Sequence, residues 1–140
     1  MRDAIAGVVN QETVYNRLRY ASKWDEYLAK FTATLTGRRL INGWWVERER
    51  IVDTYHSFGK VDRAQTFVSR GIMGFKDELD TDGLFGDQVD TVMDALTGVQ
   101  VTGAWEVGPS VVRVLDLRSF GSVLCHYAEI ENVAHVEVTL

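Results

Sequence analysis

The sequence predicts an α+β fold in which N-terminal helices precede an antiparallel or mixed sheet of about four strands, with one central amphipathic helix packed on that sheet. Three observations carry this expectation. Phe85, Val89, Val92, Met93 and Leu96 recur at i, i+4, i+7, i+8 and i+11, which is the apolar stripe of a helix with one face on a core. The stretches on either side are rich in β-branched and aromatic residues and admit no helical face. In the last of them, Leu124, His126, Ala128, Ile130, Ala134, Val136 and Val138 alternate with Cys125, Tyr127, Glu129, Glu131, His135 and Glu137, the period of a strand covered on one side only.

Taken in order, Ile5, Val8 and Val9 fall at helical spacing, and Trp24, Leu28 and Phe31 repeat it after an N-cap residue at Ser22. Two helices are therefore expected at the start. "GRRLINGWWVERERIVDTYH" reads as a strand, "FGKVDRAQ" as a turn, and "TFVSRGIMGF" as the returning strand of a long antiparallel hairpin. Asp80 or Asp82 caps the central helix, its acidic neighbours complement the positive helix end, and Gly98 stops it. "AWEVGPSVVRVLDL" and "GSVLCHYAEIENVAHVEVTL", separated by "RSFG", supply two further strands.

At 140 residues, 46% hydrophobic and 11% aromatic, the chain is long and apolar enough for one domain spanning 1–140. A single proline and the absence of low-complexity tracts argue against disorder, and no apolar run is long enough to cross a bilayer. No apolar segment of signal-peptide length follows Arg2 and Asp3, and the lone Cys125 cannot form an internal disulfide, so a soluble, cytosolic protein is expected. With 15 Lys and Arg against 20 Asp and Glu, the net charge of −5 disfavours phosphate-backbone binding as the main activity. That charge is concentrated. Residues 76–90 set Asp77, Glu78, Asp80, Asp82, Asp87 and Asp90 against Lys76 alone, which accounts for the whole imbalance.

Four candidate chemistries can be weighed on residue type and spacing. Glu78, Asp80, Asp82 and Gly83 match the first, third, fifth and sixth positions of a calcium loop, but the bidentate acid needed at the twelfth is replaced by Val89. No metal site is expected. Cys125 and His126 are a thiol beside a base, yet neighbours on a strand point to opposite faces, so no catalytic residue is assigned. His56, His126 and His135 lack the spacing and the cysteine companions of a zinc site, and no phosphate loop or serine elbow is present; no cofactor is implied. Trp44 and Trp45 are adjacent on a strand, so one is expected to face away from the core and to require a partner. Arg48 and Arg50 are expected on the Trp44 side, and Glu47 and Glu49 on the Trp45 side. That sorting suits either a solvated strand with cross-strand ion pairs or a subunit interface made by Trp44, Trp45, Arg48 and Arg50.

"GRRLINGWWVERERI", "TFVSRGIMGFKDELDTDGLFGDQVDTVMDAL", "WEVGPSVV" and "SVLCHYAEI" together resemble the tail terminator, or tail completion, proteins of tailed bacteriophages. The residues that carry the resemblance are Gly37, Arg38, Asn42, Gly43 and Trp44; Phe67, Arg70, Gly71, Gly74 and Asp77; Gly108 and Pro109; and Val123, Leu124, Cys125, His126 and Ala128. Ser69 stands where the pattern has Ile. The resemblance spans most of residues 20–135 and implies a structural virion protein that is not an enzyme. Its members form a hexameric ring on the head-proximal end of the tail tube, stop its polymerisation and present the head-joining surface. The expected partners are further copies of the chain, the tube protein and a head-tail connector or stopper, in the virion or, during assembly, the host cytoplasm. DNA passes without specific binding, and no membrane is involved.

On this reading Asp77, Glu78, Asp80 and Asp82 face the channel, where negative charge repels phosphate and permits sliding. A head-side stopper or neck protein is the alternative within the same class. A nuclear-transport-factor-like α+β enzyme, with an apolar pocket and His126 beside Asp53 or Asp116, is the alternative outside it.

Overall fold

The computed structural model of the chain describes residues 14–15, 32–35, 38–101, 105–120 and 123–140. The two opening helices expected from Ile5 and from Ser22 onward lie outside these residues. The described strands are β1 (Val14–Tyr15), β2 (Thr32–Leu35), β3 (Arg38–Ser57), β4 (Lys60–Gly74), β5 (Gln100–Val101), β6 (Trp105–Val107), β7 (Val111–Phe120) and β8 (Val123–Thr139). One helix, α1 (Thr81–Leu96), follows a 3-10 turn at Asp77–Leu79 and lies between β4 and β5 in the chain. Among the described residues, an α+β class with one amphipathic helix on a mainly antiparallel sheet is as expected, but the sheet has eight strands where about four were expected.

The sheet is built on an antiparallel run in which β3 pairs with β4, β4 with β8, and β8 with β7 and β6. β2 pairs antiparallel and β1 parallel with the first part of β3. The long hairpin is present, but its turn is tighter than "FGKVDRAQ" suggests. Only Phe58 and Gly59 separate the strands, Gly59 has the positive φ of 75° that such a turn demands, and residues 60–65 are strand. "AWEVGPSVVRVLDL", expected as one strand, is two, interrupted at residues 108–110. Pro109 cannot donate to a ladder, and Asn132 Nδ2 donates to the Gly108 carbonyl and to Ser110 Oγ within the break.

Side-chain rows across the central strands explain where the core sits. Trp44, Gly71, Ala128 and Leu115 lie directly opposite one another on β3, β4, β8 and β7. The flanking rows on the same face are Asn42, Met73, His126 and Leu117, and Val46, Ser69, Ile130 and Val112. Phe85, Val89, Val92 and Leu96 of α1 close over this face, forming one apolar cluster with Trp44, Val46, Met73, Ala128 and Ile130. Gly98, with φ 74°, lets the chain leave α1 and bond back to the Val107 carbonyl at 2.9 Å, so the stop expected there is found.

The opposite face carries a second cluster of Trp45, Ile72, Cys125 and Tyr127. Two expectations fail for this reason. Neither tryptophan faces away from the core, since Trp44 is 0% and Trp45 3% exposed, and β8 is buried on both faces from Cys125 to Ile130. A third fails at a β-bulge. Arg48 pairs with Phe67 but Arg50 with Thr66, so Glu49 is an extra residue that reverses the facing of residues 50–55, up to a second irregularity at His56. Arg48 stays on the helix side, whereas Arg50 points to the other face.

Substitutions at two glycines should separate packing from helix propensity. A Cβ at Gly71 would fall 2.6 Å from the six-membered ring of Trp44, whereas one at Gly86 meets nothing within 4 Å. Gly71→Ala should cost about 1–3 kcal/mol through overpacking. Gly86→Ala should add about 0.5–1 kcal/mol through helix propensity. Urea denaturation midpoints, lower for the first and higher for the second, check both.

Candidate functional site

The start of α1 is held by hydrogen bonds that converge on one threonine. Thr81 Oγ1 accepts from the Lys76 backbone N–H at 3.0 Å and lies 2.9 Å from His126 Nε2. Asp80 occupies the N-cap position in the left-handed region at φ 51°, a conformation short polar residues tolerate, and its side chain makes no capping bond. Its carboxylate instead lies over the first turn, 2.8 Å from where a Cβ on Gly83 would be. Either Asp80 or Asp82 was expected as the cap; Asp80 fills the position without the bond.

His126 is 4% exposed, with ring neighbours Phe75 at 5.5 Å and Phe85 at 5.7 Å between centroids. Burial lowers its pKa, partly offset by the Asp82 carboxylate 4.0 Å from Nδ1. The imidazole is thus a neutral brace joining β8 to the helix start. Beside it, a depression of about 150 Å³ opens between Asp82, Phe85 and Gly86 of the helix and Leu115, Asp116 and Leu117 of β7.

Cys125 points to the opposite face, into the cluster with Trp45 and Tyr127, and burial pushes its thiol pKa up to about 11. The pair therefore cannot act as nucleophile and base. Of the two carboxylates of the enzyme alternative, Asp116 borders the depression beside His126 and Asp53 does not, and each is bonded to an arginine. Asp53 accepts two bonds from Arg63 at 2.7 and 2.8 Å, and Asp116, opposite Tyr127, accepts from Arg118 at 3.1 Å.

Of the acidic residues, Asp77 lies in the 3-10 turn with Glu78, Asp80 joins that turn to the helix, and Asp82 is in the first helical turn with a side chain 94% exposed. Residues matching the fifth to twelfth positions of the calcium pattern lie inside α1, where successive side chains radiate outward instead of converging. Asp87, Asp90 and Asp94 are exposed on the same helix, which has no basic residue. Arg48 and Arg50 are exposed and have no carboxylate partner among the described residues.

Sequence reasoning missed three groups of residues. Gln88 Oε1 accepts from Trp44 Nε1 and from Asn42 Nδ2, both at 2.8 Å, and its Nε2 donates to Asn42 Oδ1 at 3.2 Å. The signal was available, since a lone polar residue three after Phe85 and four before Val92 stands on the apolar stripe. Thr81 is the second. The third is a charge network on the face away from α1, where Arg70 bonds Glu47 and lies 3.6 Å from Glu129. Arg113 reaches Glu49 at 2.6 Å and Glu131 at 3.5 Å. Burial alone would lower the Arg70 pKa, but Glu47, Tyr127 and Glu129 outweigh it and the net shift is upward. Tyr127 is pushed up to about 12, chiefly by burial, and the Arg118 guanidinium sits 4.4 Å from its ring centroid.

No family model matches the chain, and no curated protein matches it. Among the described residues no helix is long and apolar enough to cross a membrane, and no three metal-ligating side chains converge.

The buried histidine makes stability depend on pH. Its folded pKa lies below the ordinary 6.5, so the unfolded chain binds the extra proton first. The contribution is full above pH 6.5 and is lost as pH falls from there through the lowered folded value. Urea midpoints should drop between pH 7.5 and pH 5.5 in the native chain, and His126→Gln should flatten that part of the curve.

Proposed function

We propose that this chain is a structural virion protein of a tailed bacteriophage. As a hexameric ring it caps the head-proximal end of the tail tube, ends tube polymerisation and presents the surface that joins tail to head. One observation carries this reading: the residues of the terminator-like pattern meet in a single packed unit instead of around a reactive centre. Trp44 packs on Gly71, Gly71 pairs with Ala128, Gly74 pairs with Cys125, and His126 braces the helix start. Arg70, from the same pattern, anchors the charge network on the far face. Those on the helix side hold one helix on the sheet, and Cys125 and Arg70 pack the opposite face.

What remains outward suits assembly better than chemistry. The helix offers carboxylates without a base, and β3 offers Arg48 and Arg50 without carboxylate partners among the described residues. Heterologous contacts between unlike faces close into rings. The partners are further copies of the chain, the tube protein and a connector or stopper on the head side. Asp77, Glu78, Asp80 and Asp82 form the inner rim, where negative charge keeps DNA from adhering as it passes. Trp44 and Trp45 support the contact strand from within, and the arginines supply its exposed part.

Cells infected with phage lacking this chain should accumulate tubes of unregulated length, visible by negative-stain electron microscopy. Tubes of normal length that fail to join heads would assign the chain to the head-side stopper instead. Changing Asp77→Asn, Glu78→Gln and Asp80→Asn together should leave tails of normal length joined to heads but slow DNA delivery, measured as release of labelled DNA. Unjoined tails beside filled heads would make the acids a docking patch.

A further inference from the structure

Resting on the ring reading above, we propose that copies of this chain join sheet to sheet, with β3 of one copy pairing antiparallel with β7 of the next in a register that sets Ile51 opposite Leu115. Two strand edges in the molecule are open among the described residues. β3 is paired at residues 38–41 by β2 and, on the side away from β4, at 44–45 by β1, but from Val46 to Ser57 no described residue pairs with that side. Among the described strands β7 pairs with β8 alone. Unpaired backbone donors and acceptors over ten or more residues form a template for another strand.

The topology makes these two edges complementary. β3, β4, β8 and β7 alternate in direction, so the two edge strands run oppositely. Copies related by rotation then meet with β7 antiparallel to the next β3, and every helix falls on the same side of the joined sheet. Such a contact uses two different surfaces, leaves one of each open and propagates until the ring closes.

Side chains on the helix side agree with this pairing. On β7, Leu115 and Leu117 are 59% and 49% exposed; on β3 beyond the bulge, Ile51 and Tyr55 are 46% and 71% exposed. Ile51 pairs with Gln65 and Tyr55 with Val61 within the chain, which places both on the face that α1 covers. Asp82 and Gly86 border the depression beside Leu115 and Leu117, and Asp90 is one helical turn further along that stripe. The neighbour that fits is a strand with apolar residues next to a cation. With Ile51 opposite Leu115, and Glu49 counted as the bulge, Arg48 comes level with Leu117, beside Asp82. Apolar and charged matches thus occur in one register, and Arg48 lacks a carboxylate partner among the described residues of its own chain.

The test is a cysteine pair. In an Ile51→Cys, Leu115→Cys chain, residues directly opposite across an antiparallel pair are close enough to bridge, while native Cys125 is buried. Oxidation should give a ladder of covalent multimers on a non-reducing gel, ending at the closed ring and collapsed by reductant, with no ladder from either single variant. Dimers from Leu115→Cys alone would show a two-fold contact between β7 edges and overturn the pairing, as would the absence of a ladder from the double variant. Arg48→Glu gives an independent readout by light scattering. It should reduce assembly with an unchanged melting temperature, and added Asp82→Arg should restore it; full assembly of Arg48→Glu overturns the register. A ladder from a chain whose loss leaves tube length normal would keep the pairing and discard the terminator role. Unregulated tubes without a ladder would do the reverse.

Discussion

Trp44 against Gly71 is the contact on which the rest of the architecture depends. The indole fills the space a side chain at position 71 would occupy, with ring atoms 2.6 Å from that imagined Cβ. Ala128, next in the row, is also small and fully buried, so α1 can approach the sheet where the tryptophan lies. Phe85 then stacks on the indole at 6.1 Å, and Gln88 accepts its N–H. A large apolar body with one polar atom needs this combination, because a buried indole N–H without an acceptor costs about 1–3 kcal/mol. The helix position, the brace at His126 and the cluster of valines below follow from that seat.

The helix was legible in the sequence because its register is local. Phe85, Val89, Val92 and Leu96 repeat at helical spacing whatever they pack on, and Gly98 marks the exit on its own. Features that depend on a partner strand were not. The bulge at Glu49 exists only relative to Phe67 and Thr66 of β4, so simple alternation put Arg50 on the wrong face. Burial of both Trp44 and Trp45 requires cover on two faces, which no periodicity within β3 can reveal. Residues 60–65 resembled a turn because they lie in an arm whose charges pair across strands, as Arg63 does with Asp53 and Lys60 with Glu137. A solvated strand of this kind lacks the apolar alternation by which strands are recognised.

The interior is not uniformly apolar, and its polar groups are treated unequally. Asn42 and His126 are bonded to the helix, whereas Ser69 Oγ and Asn132 Oδ1 have no hydrogen-bond partner among the described residues. Ser69 lies between Val46 and Ile130, where the terminator-like pattern has an isoleucine, so a smaller and polar side chain stands at an apolar crossing. On the other face, Arg70 and Arg113 gather Glu47, Glu49, Glu129 and Glu131, tying β3, β4, β8 and β7 together by charge. Glu129 and Arg70 are the most enclosed members, with side chains 11% and 16% exposed, and removing either would strand its partner's charge.

Residues that hold the fold and residues left exposed are therefore largely separate sets, which bears on how edges that are open among the described residues can be tolerated. Isolated sheets blunt their edges with prolines, lysines or bulges. β7 has one bulge, at Arg113, but that arginine is paired with Glu49 of the same chain, and Arg118 is occupied by Asp116. Leu115 and Leu117 stay exposed beside it without a lysine among them. β3 likewise has irregularities at Glu49 and His56 and between them presents Ile51 and Tyr55. Edges so lightly protected would expose a free chain to indiscriminate strand addition. Asp82 on α1 counters that tendency, since it borders the depression beside Leu115 and Leu117, and an approaching strand that is itself acidic is repelled. Selectivity at such an edge comes from charge placed on the covering helix, not from the strand backbone, which pairs with any extended chain.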